Sequence, residues 1–363
     1  MQGHASHPKV MERAGIEDAD LVIALTSSDE TNMVACQIAY TLYNVPTRVA
    51  RVRSAEYTDR PQLFHRRHSP IDVLISPELL LTQYISSLIE YPGALQVLDF
   101  ADGRAQLVAT EAEAGGLLVG QRLYTLKHHL PARSDARVAA IYRHGKLILP
   151  DGNTIIEEND LVFFLAARRH IRTVMKELRP LDRPVRRVIL AGGGNIGKNL
   201  ARRLEREHHV KIIERDPVRA EAIAEELSKT IVLVGDCADE KLLTEESIEN
   251  TDVYCVLTNE DEANIMSSLL AKRMGAKKVI AIINRPSYVD LMESGTIDIA
   301  VSPQQVTIGS LLTHIRRGNM VRVHSLRRGA AEAIEAVALG DRSNSKVVGR
   351  SIEELDLPPG TSI

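Results

Sequence analysis

From residue 187 onward, short apolar stretches alternate with segments whose apolar residues recur every three or four positions. The apolar stretches have the length of buried strands and lie at 187–192, 210–214, 231–235, 253–257, 279–283 and 299–302. Between the first two stretches, Leu200 and Leu204 repeat at helical spacing, and Asp216 followed by Pro217 marks the start of another helix. Buried strands joined by helices predict a doubly wound α/β fold with a parallel sheet.

The turn between the first strand and its helix carries a glycine motif. Gly192, Gly194 and Gly197 match G-x-G-x-x-G directly after a strand, where glycines permit a tight turn, a backbone approach to pyrophosphate and close helix packing. The N–H groups of the helix would then face the phosphates. Glu214 ends the second strand, where an acid accepts ribose hydroxyls and repels a 2′-phosphate. The pattern favours NAD(H) or an adenine nucleotide over NADP(H), although Arg215 stands beside the acid.

The same pattern occurs twice in the chain. "IEDADLVIALTSSDETNMVACQIA" (16–39) resembles "IENTDVYCVLTNEDEANIMSSLLA" (248–271) at an offset of 232 positions, so that Thr26 stands opposite Thr258. "IDVLISP" (71–77) resembles "IDIAVSP" (297–303) at an offset of 226. Offsets that drift by a few residues are expected of loop insertions, so the chain is a tandem duplication of one long unit.

The duplication predicts that the first copy is incomplete. At the offset of 232, Met1 stands opposite Leu233, so the counterpart of residues 187–232 is missing together with its glycine loop. The second copy also stops early, 14 residues after Gly349, which matches Gly120 of the first copy. We therefore expect a fragment that is truncated at both ends.

A smaller part follows the first sheet. Residues 94–167 contain candidate strands at 95–100, 136–143 and 160–166, with a turn at 150–152. This α+β region has no cluster of chemically active residues, which suits a docking or regulatory module. The proline-containing segment 179–184 is the best boundary between the two copies, and the alanine-rich stretch 329–338 predicts a short helix.

Composition narrows the classes of partner. The chain has 45 Lys and Arg against 48 Asp and Glu, a formal net charge of −3, so no basic field indicates nucleic acid. The three cysteines Cys36, Cys237 and Cys255 lie in apolar stretches, which is typical of a reduced cytoplasmic chain. No apolar run reaches the length of a membrane span or signal peptide. The pairs His128–His129 and His208–His209 are expected on the solvated surface, and no metal site is predicted.

These features together resemble a known family. Residues 187–340, with "LTNEDEANIMSSLLAKRMGAKKV" and "SPQQVTIGSLLTHIRRG", and their partial copy are similar to the regulator-of-potassium-conductance family, called RCK or KTN. The resemblance implies tandem Rossmann-like RCK-N domains, each followed by a small α+β RCK-C module. The implied domains are an incomplete RCK-N at 1–93, an RCK-C at 94–182, a complete RCK-N at 183–320 and a truncated RCK-C at 321–363.

The family resemblance also implies a function and partners. It indicates a cytoplasmic regulatory subunit, peripheral to the inner membrane, that binds nucleotides and gates a separate potassium-translocating membrane protein. Members of the family pair their nucleotide-binding domains and assemble into rings, which four tandem chains would close. The implied ligand is NAD(H), with ATP or ADP as the further candidates.

Carried over from the family, the nucleotide-binding residues are Gly192, Gly194, Asn195, Ile196, Gly197, Glu214, Asp236, Cys237, Thr258 and Asn259. Some relatives have an arginine at the position of Asn195, where it reaches a terminal phosphate, so its absence favours a dinucleotide. Asp236 and Thr258 also suit a purely structural role as helix caps. The first copy keeps Arg53 opposite Arg285, but it has His4 at the position that corresponds to Asp236. We therefore expect no intact nucleotide site in that copy.

The last question is whether the nucleotide is consumed or sensed. A dehydrogenase needs a general acid or base close to the substrate and the nicotinamide, and no suitable Ser/Tyr/Lys or His/Asp spacing occurs in the sequence. A doubled binding fold with small modules favours sensing, so we expect a protein that is not an enzyme. Two alternatives stay open, an NAD-dependent oxidoreductase subunit and a structural adaptor.

Overall fold

The computed structural model describes residues 1–64, 69–130, 136–180, 183–292, 297–315, 320–326 and 331–355. The chain divides into two compact units, Met1–Thr307 and Ile308–Ile363. The α-helices are α1 Pro8–Arg13, α2 Asp29–Thr41, α3 Ala55–Thr58, α4 Pro77–Glu90, α5 Leu126–His129, α6 Ile171–Leu178, α7 Asn195–Leu204, α8 Pro217–Glu226, α9 Glu240–Glu245, α10 Asp261–Arg273, α11 Pro286–Met292 and α12 Pro303–Ile315. The β-strands are β1 Leu21–Ala24, β2 Thr47–Arg51, β3 Val73–Ile75, β4 Ala94–Phe100, β5 Ala105–Glu111, β6 Ala136–Arg143, β7 Lys146–Ile148, β8 Leu161–Ala167, β9 Arg187–Ala191, β10 His209–Glu214, β11 Ile231–Val234, β12 Val253–Val256, β13 Lys278–Ile282, β14 Ile299–Val301, β15 Met320–Leu326 and β16 Ala331–Ala336.

The six strands predicted after residue 187 form one parallel sheet. Their order is β11-β10-β9-β12-β13-β14, with every neighbouring pair parallel. Strands β10 and β11 are therefore added on one side of β9, and β12, the next strand along the chain, pairs with the other side of β9. This reversal leaves a crevice at the carboxyl ends of β9 and β12, the place where doubly wound sheets bind ligands. The α/β, doubly wound prediction is confirmed.

The first copy repeats half of that sheet. Strands β1, β2 and β3 are parallel and lie in the same order as β12, β13 and β14. The repeat extends to single hydrogen bonds: the amide nitrogen of Asn32 donates to the carbonyl of Arg51 at 2.9 Å, and that of Asn264 donates to the carbonyl of Ile282 at 2.8 Å. Both asparagines are fully buried, and each ties a helix to two strand ends. The tandem duplication is thus visible in the structure.

One detail of the predicted repeat is wrong. The carboxylate of Asp261 accepts two consecutive backbone N–H groups, those of Asn284 and Arg285. The carboxylate of Asp29 likewise accepts those of Arg53 and Ser54. Arg53 is the first donor in its copy, so it does not stand opposite Arg285. The segment between α2 and β2 has one residue more than the segment between α10 and β13, which shifts the register.

An antiparallel sheet lies between the two parallel ones along the chain. Its strand order is β4-β5-β8-β6-β7, with β6 and β7 joined by a tight turn at His144 and Gly145. Strand β5 was not among the predicted strands, although it pairs with both β4 and β8. The predicted turn at 150–152 forms around Asp151, whose carboxylate accepts the N–H groups of Asn153 and Thr154 at 2.9 Å.

The bridging helix α4 connects these sheets. Leu81, Ile85 and Leu88 of α4 belong to one buried apolar cluster with Leu200 and Leu204 of α7. Beyond the C-terminal end of α4, the ammonium group of Lys278 in β13 donates to the carbonyls of Pro92 and Ala94 at 2.6 and 3.1 Å. The helix that leads out of the first parallel sheet therefore rests on the second. The domain boundaries given above stay a prediction.

The unit Ile308–Ile363 contains an antiparallel hairpin. Strand β16 pairs with β15 over Leu326 to Met320, and half-buried and exposed side chains alternate along it. The short helix predicted at 329–338 is therefore wrong for residues 331–336. Alanine favours helices, but pairing with a neighbouring strand overrides that preference, and the exposure pattern has the period of a strand.

Candidate functional site

The carboxyl ends of β9, β10, β11 and β12 surround an open crevice, at the place where doubly wound sheets bind ligands. The residues that line it come from the ends of these strands and from the turns and first helical turns that follow them: Gly192, Gly194, Ile213, Glu214, Arg215, Arg219, Gly235, Asp236, Cys237, Leu257, Thr258, Asn259, Glu260 and Ala263. Seven of the ten residues predicted from the sequence are among them. Asn195, Ile196 and Gly197 instead form the first turn of α7 beside the crevice.

The glycine loop has the geometry that its motif requires. Gly192 has a φ of +107°, and a β-carbon there would lie 3.1 Å from the carbonyl carbon of Leu257. A β-carbon on Gly197 would lie 2.0 Å from the carbonyl oxygen of Gly192, so only glycine lets α7 approach the loop. A β-carbon on Gly194 would meet no atom within 4 Å, because this residue borders the open crevice. The loop therefore has room for a ligand at Gly194 and none at Gly197.

The acid at the end of β10 is fixed by the loop. Glu214 is buried, and its Oε2 accepts the N–H of Gly193 at 2.9 Å while Oε1 accepts the N–H of Asp216 at 3.0 Å. The guanidinium of Arg219 lies 3.6 Å from Oε2. A carboxylate has about four acceptor positions, so two backbone bonds leave capacity for hydroxyl donors in the crevice. The sequence did not single out Arg219, which reaches Glu214 from the first turn of α8.

The turn after β11 contributes Asp236 and Cys237. Asp236 is exposed, and its carboxylate accepts the N–H of Ala238 at 2.8 Å, which is a local turn bond of the kind expected from a structural role. Cys237 is half-buried, and burial raises the pKa of its thiol. At neutral pH the crevice wall at Cys237 is therefore a neutral, weakly polar surface.

The end of β12 contributes Thr258 and Asn259. The hydroxyl of Thr258 donates to the side chain of Asn264, so it fastens the strand end to α10. Asn259 is exposed beside the crevice. Thr258 thus supports the structure at the same point where it borders the crevice, and Asn259 presents an amide to the open space.

The described residues hold no group of three or more His, Cys, Asp or Glu side chains that could bind a metal ion. One of the histidines expected on the solvated surface has a partner, since Nδ1 of His129 lies 2.9 Å from the carboxylate of Glu177. Across the same described ranges, no helix combines the length and apolar character needed to cross a membrane.

Family models match most of the chain. A model described as the TrkA-N domain matches residues 1–77 and again residues 188–303, and a model described as the TrkA-C domain matches residues 108–179. Two matches to one domain on either side of a different domain agree with the duplication found in the sequence. The tandem Rossmann-like architecture is therefore confirmed.

Two full-length relatives carry the name Trk system potassium uptake protein TrkA. The protein of Vibrio alginolyticus is 58% identical over 364 residues, which cover 100% of this chain and 79% of the relative. The protein of Halomonas elongata is 59% identical over 361 residues, which cover 99% of this chain and 79% of the relative.

Solved structures share the fold at low identity. The structure titled GsuK channel bound to NAD is similar with a TM-score of 0.62 at 19% identity, covering 87% of this chain and 55% of that one. The crystal structure of the GsuK RCK domain has a TM-score of 0.61 at 19% identity, covering 86% of this chain and 65% of that one.

Proposed function

Because this chain belongs to the TrkA family of potassium uptake proteins, we propose that it is a nucleotide-binding regulatory subunit of a potassium uptake system. In this proposal the crevice at the carboxyl ends of β9 and β12 binds an adenine nucleotide. Binding then changes how the chain acts on a potassium-translocating membrane protein. The chain works at the cytoplasmic face of that membrane protein, as part of a ring of copies.

The observation that carries the proposal is the pairing of an open glycine loop with a fixed acceptor. The space at Gly194 suits a pyrophosphate that is held by the N–H groups of α7. Glu214, bound to the same loop through Gly193, lies where the hydroxyls of an adjoining ribose would donate. These two features on consecutive strands support a dinucleotide, NAD(H), as the preferred ligand, with ADP and ATP as the ligands to compare.

The residues of the crevice support sensing rather than turnover. Among the described residues that line it, none is a histidine, lysine or tyrosine, and its buried carboxylate, Glu214, already accepts the N–H groups of Gly193 and Asp216. A ligand shifts an equilibrium between two states only by its difference in affinity for them, and full switching takes about 5.5 kcal/mol. Several crevices in a ring would together supply that free energy from a modest difference in affinity at each crevice.

The route to the rest of the chain runs through α7. This helix begins at the glycine loop and packs with Leu200 and Leu204 against α4, which leads from the first parallel sheet to the antiparallel one. The guanidinium of Arg203 also donates to the hydroxyl of Ser86 in α4 at 2.9 Å. A nucleotide that moves α7 therefore acts directly on α4.

Calorimetry of the full chain with NAD⁺, NADH, ADP and ATP tests the proposal, using two buried carboxylates as a matched pair. Glu214 and Glu205 both accept backbone N–H groups, but only Glu214 borders the crevice, while Glu205 binds Lys229 and Thr230 elsewhere. Glu214→Ala should weaken dinucleotide binding by roughly 1.5–3 kcal/mol, the value of hydrogen bonds to a charged acceptor. Glu205→Ala should leave affinity unchanged. Equal effects of the two variants would contradict the site, and turnover of the nicotinamide would instead favour an oxidoreductase subunit.

A further inference from the structure

Two buried hydroxyl groups meet one backbone carbonyl beneath the crevice wall that is formed by the turn after β11. The phenol of Tyr254 in β12 lies 3.0 Å from the carbonyl oxygen of Cys237, and the hydroxyl of Ser267 in α10 lies 2.7 Å from the same oxygen. The two hydroxyl oxygens are 2.8 Å apart. Both side chains are fully buried, so this contact fixes the turn after β11 to the body of the sheet.

The two hydroxyls can share their hydrogen bonds with the carbonyl in more than one arrangement. Each hydroxyl has one proton, so only two of the three short distances are hydrogen bonds at any moment. Both hydroxyls donate to the carbonyl, or Tyr254 donates to Ser267 and Ser267 to the carbonyl, or Ser267 donates to Tyr254 and Tyr254 to the carbonyl. The carbonyl of Cys237 accepts at least one hydrogen bond in each of the three arrangements. Burial raises the pKa of Tyr254, which keeps the phenol protonated and able to donate.

The first copy shows that the fold does not require these hydroxyls. At the offset of 232, Tyr254 corresponds to Val22 and Ser267 to Ala35, and neither side chain can donate a hydrogen bond. The strand and helix nevertheless form, and Ala35 is buried like Ser267, although β1 is more exposed than β12. The hydroxyl pair therefore occurs in the copy that has the glycine loop and not in the copy that lacks it.

We propose that Tyr254 and Ser267 are positioning residues that fix the Asp236–Cys237 turn and so set the affinity of the crevice for the adenosine part of its ligand. This inference rests on the proposed function. Strand β11 lies beside β10 on the side away from β9, so its turn borders the half of the crevice where Glu214 would bind the adenosine ribose. The side chain of Asp236 bonds to Ala238 inside its own turn rather than to the sheet. The turn after β11 is thus held at the carbonyl of Cys237, by Tyr254 from the sheet and by Ser267 from α10.

We call the contact of Tyr254 and Ser267 with the carbonyl of Cys237 the relay. Because either hydroxyl alone can donate to this carbonyl, single and double substitutions should differ in their effect on nucleotide affinity. Tyr254→Phe leaves Ser267 to donate directly to the carbonyl, and Ser267→Ala leaves Tyr254 to do so. Each single variant should therefore lower the affinity for ADP and NAD⁺ only about two- to threefold. The double variant leaves the carbonyl without a donor from either side chain, and its loss should exceed the product of the single losses, at about tenfold or more.

The experiment is a double-mutant cycle on the full chain, with ADP and NAD⁺ titrated by calorimetry. Nicotinamide mononucleotide, which lacks adenosine, is titrated by displacement of NADH fluorescence. Ser268→Ala is the matched control, because Ser268 is equally buried on the same helix but donates to the carbonyl of Asn264 at 2.6 Å. We expect the cycle to be non-additive for ADP and NAD⁺, with the mononucleotide and the control variant unaffected.

The outcomes separate this proposal from the function on which it rests. If the unaltered chain binds none of the nucleotides, the proposed function fails and the positioning role fails with it. If the unaltered chain binds and the double variant binds ADP within twofold of it, the positioning role alone is overturned. An equal loss for ADP and the mononucleotide would also overturn it, since general loosening of the domain would act on both. Should the double variant not fold, the single variants decide, by a selective loss for ADP.

Discussion

Two glycines of the same loop should respond to alanine in opposite ways. In Gly197→Ala the new β-carbon would lie 2.0 Å from the carbonyl oxygen of Gly192, so α7 must move away from the loop. Overpacking of this kind costs about 1–3 kcal/mol, partly offset by the gain of about 1 kcal/mol when alanine replaces glycine in a helix. We expect a net loss of about 1–2 kcal/mol and a fall in melting temperature of roughly 2–8 °C.

Gly194→Ala places its β-carbon where no atom lies within 4 Å, so stability should stay within about 0.5 kcal/mol of the unaltered chain. The same methyl group occupies the space proposed for pyrophosphate, and affinity for NAD⁺ should fall at least tenfold, about 1.4 kcal/mol. Thermal unfolding followed by circular dichroism and calorimetric titration measure the two quantities. A Gly194→Ala variant with unchanged affinity would refute the placement of the ligand, and a Gly197→Ala variant with unchanged stability would refute the packing argument.

Three further predictions concern stability. Burial raises the pKa of Glu205, but hydrogen bonds from Lys229 and Thr230 outweigh that effect and hold the pKa below its ordinary value of 4.5. Glu205 therefore stabilises the fold above pH 4.5, and this stabilisation is lost as the pH falls through the lowered pKa. Acid titration of Glu205→Gln should show a flatter loss of stability than the unaltered chain. Lys278→Met should lower stability by roughly 1.5–3 kcal/mol in denaturant unfolding, because the carbonyls beyond α4 lose a charged donor, and an unchanged midpoint would contradict that role. Asn264→Ala should cost about 1–3 kcal/mol in the same assay, since it leaves buried strand-end groups without a partner, and a neutral effect would show that water replaces the amide.

The sequence predicted the parallel sheet well because continuous apolar runs and helix caps are local signals. Asp216 does accept the N–H groups of Val218 and Arg219, as the Asp-Pro pair indicated, and all six strands after residue 187 begin and end within a residue or two of their predicted bounds. The duplication was also read correctly from the sequence, and the structure extends it to the matching hydrogen bonds of Asn32 and Asn264.

These failures have a common physical cause, since each depends on contacts between separate strands and helices that a local pattern does not show. Strand β16 is alanine-rich, and only its pairing with β15 makes it extended. Arg219 reaches Glu214 because α8 turns back over β10, which spacing alone does not show. The relay of Tyr254 and Ser267 joins a strand to a helix 13 positions later and becomes visible only when both face Cys237.

The central claim is that the crevice binds an adenine dinucleotide as a signal and leaves it chemically unchanged. The most direct measurement is a calorimetric titration of the full chain with NADH, after which the nicotinamide absorbance of the recovered ligand is read in the presence of hydroxy and amino acids. We predict saturable binding with no change in absorbance. Oxidation of the nicotinamide at a steady rate, or a titration without saturation, would contradict the account.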